Sequence, residues 1–347
     1  MKAYCTVVSY PYLPYARALH SSLRASGNNE TLYVLIADLE MVKIAPEEGM
    51  RLLGLSDLAD SGPAGMRYYF DAFEFCNDLK PFLVRHLFHQ GIESVIYLDS
   101  DIMAVGSFER VWDRTGAKSL LLTPHHLAPP QLKLGYINEA SIADMGFVNG
   151  GFAAWHRSAG ADTILDWMCS RFPVLGFCDR RAGMFVDQKL LPLVLQYFPG
   201  EAELLRDSSL NVAFWNVNER AIECRETDNR VQWKNVVFFH MSGFRLAQPD
   251  RPCSYLSQAS NEAILSIAPW FAQVLRQYRL LLSQYWWTGA VPEYQFTRHA
   301  GFVLTPDLRR ILFRTRVLSR RDSEVQKVIL VDFLKRIKRR LFPYRHA

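Results

Sequence analysis

At 347 residues, with 49% apolar and 22% charged residues, the chain is long enough to bury a sizeable core, and its composition excludes disorder over most of its length. The net charge of +5 is uneven: thirteen Lys and Arg against three acids follow from Arg309 onward, which leaves residues 1–308 acidic by about five charges. Six scattered cysteines without Cys-x-x-Cys spacing argue against a disulfide framework or a zinc site, and no uncharged apolar run reaches membrane-spanning length.

The first apolar run, AYCTVVS at 3–9, predicts a buried strand, followed by a helix from about Pro14 that ends near Gly27. TLYVLIA at 31–37 predicts a second strand, so the chain opens on a parallel βαβ unit. Neither G-x-G-x-x-G nor a P-loop signature is present, so any nucleotide must be gripped without those phosphate cradles. Residues 45–67 are mixed and Gly-rich and read as a helix and loop under the sheet. A helical run follows to Gly91, with Lys80 just ahead of Pro81 near its start; such a lysine is more often solvated than a phosphate ligand.

ESVIYLDSDIMAVG at 93–106 is a short branched and aromatic run, read as a buried strand, that ends in Asp99 and Asp101 with Ser100 between them. Strand ends border the ligand crevice of open α/β sheets, and two adjacent carboxylates repel unless a cation joins them. A hard divalent metal would satisfy both and hold the oxygens of a diphosphate. A turn bonded to its own backbone is the bland alternative. An aspartyl-phosphate phosphatase is disfavoured by Met103 and by the late position of the pair.

KSLLLTP at 118–124 predicts a strand from which His125 and His126 emerge, needing no partner beyond loop water. MGFVNGGFAAWHRS predicts a strand buried on both faces; the glycines after Asn149 allow either close backbone approach or a β-bulge. A helix from about Ala159 to Arg171 follows, and Asp187, beside Gln188, reads as the start of another. NVAFWNV at 211–217 suits sugar hydroxyls or an ordinary half-buried strand, and WKNVVFFHMSGF predicts a strand ending in His240. A neutral imidazole there is a fitting third metal ligand, and Gly243 leaves room for phosphate oxygens.

The ordered set YLDSDI, VNGGF, VDQ and FFHMSGF resembles the GT-A nucleotide-sugar glycosyltransferases, above all the retaining glycosyltransferase family 8, over roughly residues 3–250. It is also similar to a group of uncharacterised bacterial glycosyltransferases with NVAxWN segments, which adds Asn211, Trp215 and Asn216. The resemblance implies an α/β GT-A (Rossmann-like) fold, a mostly parallel sheet flanked by helices, with a helical C-terminal extension. It implies a catalytic domain over 1–257 and a helical region over 258–347. It further implies Mn²⁺ (or Mg²⁺) held by Asp99, Asp101 and His240, and a nucleotide-sugar donor, usually a UDP-sugar, transferred with retention to a glycan or glycolipid acceptor. Asn149, Gly150 and Gly151 would lie beside donor sugar and acceptor, as would Asn211 and Trp215, and Asp187 and Gln188 would sit near the reacting carbon. Ser9, Lys80, Ser100, Gly243 and Arg245 would serve the nucleotide; Ser9 stands where the family carries acidic or amide base readers, and Arg245 or Lys80 would replace the family's diphosphate lysine.

The tail from Asp322 places Leu330, Leu334, Ile337 and Leu341 on one stripe of a basic amphipathic helix, which suits an anionic membrane surface and a lipid-linked acceptor. A terminal helix docked on the domain is the alternative, and no module for nucleic acid is present. The start carries no secretory pattern, so cytosolic placement is expected, with peripheral attachment at the inner face of the membrane. The competing function is a non-catalytic, membrane-docked scaffold of glycan assembly with the same fold.

Overall fold

The computed structural model describes residues 1–59, 62–130, 138–180, 183–227 and 230–294, together with 296, 298–299, 302–303 and 331. The basic amphipathic helix expected from Asp322 lies outside these, apart from residue 331.

The chain opens with β1 (Lys2–Val8), α1 (Leu13–Ala25), β2 (Leu32–Ile36) and β3 (Met50–Leu53). It continues through α2 (Ala72–Asp78), α3 (Lys80–His89), β4 (Ser94–Leu98), β5 (Ile102–Ala104), α4 (Glu109–Trp112), β6 (Leu120–Pro124), α5 (Glu139–Met145), β7 (Val148–His156) and α6 (Ala159–Leu175). Next come β8 (Cys178–Asp179), β9 (Met184–Phe185), α7 (Leu191–Tyr197), β10 (Ala202–Leu204), β11 (Glu223–Thr227), β12 (Arg230–Lys234) and β13 (Phe238–His240). Two helices follow, α8 (Gln258–Ile267) and α9 (Phe271–Ser283).

Seven strands form one sheet in the order β10-β6-β7-β4-β1-β2-β3. Neighbours are parallel except β7, which runs antiparallel to both β4 and β6. The central strands are branched and apolar because both of their faces are covered. One layer packs α2, α3 and α6 through Phe75, Leu83, Leu87, Ile164 and Phe172; the other packs α1 and α4 through Leu19, Leu23 and Trp112. A third cluster joins Ala18 of α1 to Phe239 of β13 and to Val274 and Tyr278 of α9, which seats the C-terminal helices on the sheet domain.

The edge strand β3 lies within the stretch read as helix and loop: MRLL is too short to show a period, and its pairing with β2 decides its conformation. The helix expected before Gly91, with Lys80 near its start, is α3, whose first turn holds Pro81; α2 precedes it as a separate helix, capped by Asp71 with Glu74 and ending at Leu79. NVAFWNV is not a strand; Val212 makes one bridge to Phe239 and Val217–Glu219 is a short 3₁₀ turn.

Candidate functional site

Asp99 and Asp101 stand in the turn between β4 and β5, at the end of the sheet where β1 also stops. β13 pairs with β5 so that His240 lies opposite Ile102, and the Met241 N–H donates to the Asp101 carbonyl at 2.9 Å. This pairing brings the late histidine to the early carboxylates across some 140 residues of chain. One donor atom from each of Asp99, Asp101 and His240 lies within 4.8 Å of the others.

The surroundings fix how each ligand faces. His240 Nδ1 lies 3.0 Å from Asn211 Oδ1, which can only accept, so Nδ1 carries a proton and Nε2 is the nitrogen that faces Asp101 Oδ1 at 3.2 Å and Asp99 Oδ2 at 3.9 Å. Asn211 holds a left-handed φ of 54° to make this bond. Asp99 Oδ1 accepts from the Tyr97 hydroxyl at 2.7 Å and lies 3.2 Å from Lys80 Nζ, which leaves Oδ2 turned toward His240. Two carboxylate oxygens and an imidazole nitrogen at this spacing, with Asp99 and His240 each oriented by a further hydrogen bond, fit a hard divalent cation such as Mn²⁺ or Mg²⁺. Without a cation, burial works against the imidazolium, but Asp101 and then Asp99 outweigh it and hold His240 above its ordinary titration range.

Lys80 is buried, contrary to the expectation of a solvated side chain. The break at Leu79 starts α3 with its ammonium inside the site: Nζ donates to the Gly150 carbonyl at 2.8 Å and to Asp187 Oδ2 at 2.9 Å, and faces Asp99 at 3.2 Å. These three acceptors match its three donors. Burial opposes its charge, but Asp187 and Asp99 raise its pKa above the ordinary lysine value. Lys80 therefore links the carboxylate pair to Asp187, and its charge is committed within the protein. Asp78, on the preceding helix, is also buried, and desolvation with the nearby Asp187 and Glu74 pushes its carboxyl well up.

Asn149, Gly150 and Gly151 open β7. The register with β6 moves from Leu122–Ala153 to Thr123–Asn149, so the bulge and the close approach anticipated as alternatives are both present. A Cβ on Gly150 would lie 2.4 Å from an Asp187 oxygen, and one on Gly151 would lie 2.4 Å from His240 Cε1. Only glycine fits at either position. Asp187 and Gln188 follow Val186, a β-branched residue at φ 41°, in a 3₁₀ turn rather than the α-helix expected; α7 begins only at Leu191. Such a backbone costs on the order of 1–3 kcal/mol and is held here by the burial of Val186. Gln188 Oε1 receives Asn149 Nδ2 and the Gly150 N–H, both at 3.3 Å. Trp215 stands edge-on between His125 and His240, with ring centroids 5.5 and 5.2 Å away. Asn216 bonds the carbonyls of His125 and Asn211 and so ties this loop to β6.

Asp99, Asp101, His240, Lys80, Asn149, Gly150, Gly151, Asp187, Gln188, Asn211 and Trp215 thus form one connected cluster. Among the described residues, Ser9, Ser100 and Arg245 make no side-chain hydrogen bond to it. Ser9 is buried at the end of β1, where the next N–H donates to Asp38 at 2.6 Å; Ser100 is part-exposed in the aspartate turn; Gly243 has φ 75°, and Arg245 is exposed beyond it.

Three residues escaped the sequence reading. His125, expected to face loop water, is buried and lies 3.1 Å from Asn149. Tyr12 and Tyr255 are 41% and 72% exposed and share an electrostatic neighbourhood with Asp101 and Arg245, on the rim of the cluster. Tyr12 stacks on Tyr15 at 4.9 Å, and the density of tyrosines in YPYLPY was the available signal.

No family model matches the chain. An uncharacterized protein of Bacillus subtilis (strain 168), YfnF, is 25% identical over 255 residues, which span 70% of this chain and 82% of its own length. Among solved structures, the galactosyltransferase LgtC, crystallised in complex with donor and acceptor sugar analogs, is similar at a TM-score of 0.50 and 17% identity, covering 84% of this chain and 98% of its own. GlyE, a glycosyltransferase of Streptococcus pneumoniae TIGR4, is similar at a TM-score of 0.44 and 14% identity, covering 82% of this chain and 62% of its own. No helix among the described residues is long and apolar enough to cross a membrane. The likeness to LgtC, together with the seven-stranded order and the strand-end aspartates, establishes that this chain has the GT-A fold.

Proposed function

We propose that the chain is a metal-dependent glycosyltransferase that moves a sugar from a nucleoside diphosphate, of the UDP class, to a hydroxyl of a glycan or glycolipid, with retention at the anomeric carbon. The observation that carries this reading is the convergence of Asp99, Asp101 and His240, facing one another, beside Asn149, Asp187 and Gln188 at the open end of the sheet. LgtC was solved with donor and acceptor sugar analogs on the same fold, which supports the two substrate classes.

The reaction breaks the bond between the anomeric carbon and the β-phosphate oxygen, whose bonding electrons stay with the diphosphate. The new bond forms from the acceptor hydroxyl oxygen, approaching from the face that the diphosphate leaves, and the hydroxyl proton passes to the departing phosphate oxygen. The charge of the leaving group is the main electrostatic problem; Asp99, Asp101 and His240 would hold a divalent ion, which would supply the Lewis acid that stabilises it. Arg245 and the backbone at Gly243 assist at the diphosphate, with Ser9 and Ser100 on the nucleotide. Lys80 positions Asp187 and Asp99 rather than a phosphate, because its donors are already used. Asp187 and Gln188 border the reacting carbon, and Asn149, Gly150, Gly151, Asn211 and Trp215 border the sugars. The exposed rings of Tyr12 and Tyr255 offer stacking surface for a base. Residues 1–257 form the catalytic unit in this reading and 258–347 an appended region that begins with α8 and α9, whose basic tail brings the enzyme to an anionic inner membrane surface.

Thermal melting against a panel of nucleotide-sugars, with and without Mn²⁺, tests the reading, because a ligand of the native state raises the melting temperature. A shift with one donor that needs Mn²⁺, together with release of its nucleoside diphosphate, is expected. Absence of any donor-dependent shift would refute it.

A further inference from the structure

We infer that His125 is a positioning residue for the proposed transfer: as the Nδ1–H tautomer it accepts a hydrogen bond from Asn149 and so turns Gln188 to present its NH₂ group, not its carbonyl oxygen, to the sugars. The role in transfer rests on the reading of the preceding subsection; the tautomer does not.

The chain of hydrogen bonds selects one orientation for each amide and one accepting nitrogen on the ring. Asn149 Oδ1 accepts the Gly151 N–H at 2.9 Å, so the other end of that amide is its NH₂, which can only donate. One N–H points at His125 Nε2, 3.1 Å away, and that nitrogen must then present a lone pair. The ring proton is therefore on Nδ1, which is buried without a hydrogen-bond partner among the described residues. Burial and the neighbouring His126 and His240 keep the ring neutral, with its pKa pushed down to about 3. The second N–H reaches Gln188 Oε1 at 3.3 Å, and the Gly150 N–H meets the same oxygen at 3.3 Å. Both lone pairs of Gln188 Oε1 are therefore engaged, which blunts it as a nucleophile, while its NH₂ has no protein partner among the described residues. An amide so turned donates to a sugar hydroxyl or to the departing oxygen. Trp215, edge-on to His125 at 5.5 Å, keeps the imidazole from swinging away. The signal begins in the bulge at Asn149, which pairs that residue with Thr123 and carries it past the end of β6 to His125.

Histidine-selective ¹⁵N spectra of the full chain, with the His125 signals assigned by their loss in His125→Gln, read the ring directly. A neutral Nδ1–H ring with an accepting Nε2 is expected at pH 7; an Nε2–H ring overturns the proposal. This measurement needs no turnover, so a chain that transfers no sugar would defeat the proposed function and leave the ring assignment to be decided by itself. With an active donor, the pair His125→Asn and His125→Gln separates acceptor from bulk. The Asn variant has no acceptor at the Nε2 position and is expected to lose at least about tenfold in kcat, with the donor KM within about threefold. The Gln variant places a carbonyl oxygen there and is expected to recover most of that loss. Equal kcat in His125→Asn and the unaltered chain, or equal losses in both variants, overturns the positioning role.

Discussion

Two carboxylate sites share one crevice and solve the same electrostatic problem in opposite ways. Asp187 is buried, its side chain 3% exposed, and it is matched by an equally enclosed ammonium from Lys80. Asp99 and Asp101 keep 29% and 26% of their side-chain surface open, and among the described residues Asp101 has only His240 as a cationic partner within 4.0 Å. The first site is complete in counter-charge as the protein folds, although Asp187 Oδ1 has no hydrogen-bond partner among the described residues and burial still raises the pKa of the carboxyl. The second is left short of positive charge on its open side. Completeness at one and deficiency at the other separates a carboxylate on which the fold depends from a pair left open to a cation, even though a list of acidic residues would treat the three aspartates alike.

The largest expected effect tests completeness. Lys80→Met should cost about 3–5 kcal/mol of folding stability, because it leaves Asp187 buried with no counter-charge. Adding Asp187→Asn to that variant should return more than half of the loss in urea melts. Additive losses would show that the two residues do not act as a pair.

Deficiency is tested next. Asp101→Asn should lower metal-dependent turnover by at least about 10²-fold, the scale seen when one preorganised group stabilising developing charge is removed. It should also abolish the Mn²⁺-dependent part of the melting shift while leaving the metal-free melting temperature within a few degrees. A large drop of the metal-free value would make Asp101, like Asp187, a carboxylate on whose charge the fold depends.

The boundary between the two sites is the glycine pair on β7. Gly150→Ala sets a methyl against the Asp187 carboxylate and should cost about 1–3 kcal/mol, read by calorimetry. A neutral result would mean that Asp187 can move aside.

The smallest effect is a pH dependence. His240 titrates above its usual range while two carboxylates face it without a cation, so metal binding must expel a proton whenever the pH is below that raised pKa. Apparent Mn²⁺ affinity should fall roughly tenfold per pH unit on the acid side and level off on the alkaline side. Titrations in two buffers of different ionisation enthalpy would count the proton, and a pH-independent affinity would remove His240 from the ligand set.

Much of this arrangement was legible in the residues. YLDSD showed apolar character ending in paired acids, and FFHMSGF showed a strand ending in histidine; each strand end is a local property of the chain. Lys80 was not legible, because its burial depends on a helix break at Leu79 and on Asp187 more than a hundred residues away. His125 was misread for the same reason: its environment is made by β7 and by Trp215, both distant in sequence. The 3₁₀ turn at Asp187 replaced the expected α-helical start because Val186 is forced out of helical geometry. MRLL of β3 could be placed only once β2 offered it an edge.

Val186 has a consequence for anyone who would make this protein hardier. Glycine there would relax a backbone that valine holds at φ 41°, and automated stabilisation would select it. The buried isopropyl group, however, clamps the turn that aims Asp187 and Gln188. A variant improved at this position should therefore survive heat as well as its parent while turning over more slowly, with stability and turnover traded against each other at a single side chain.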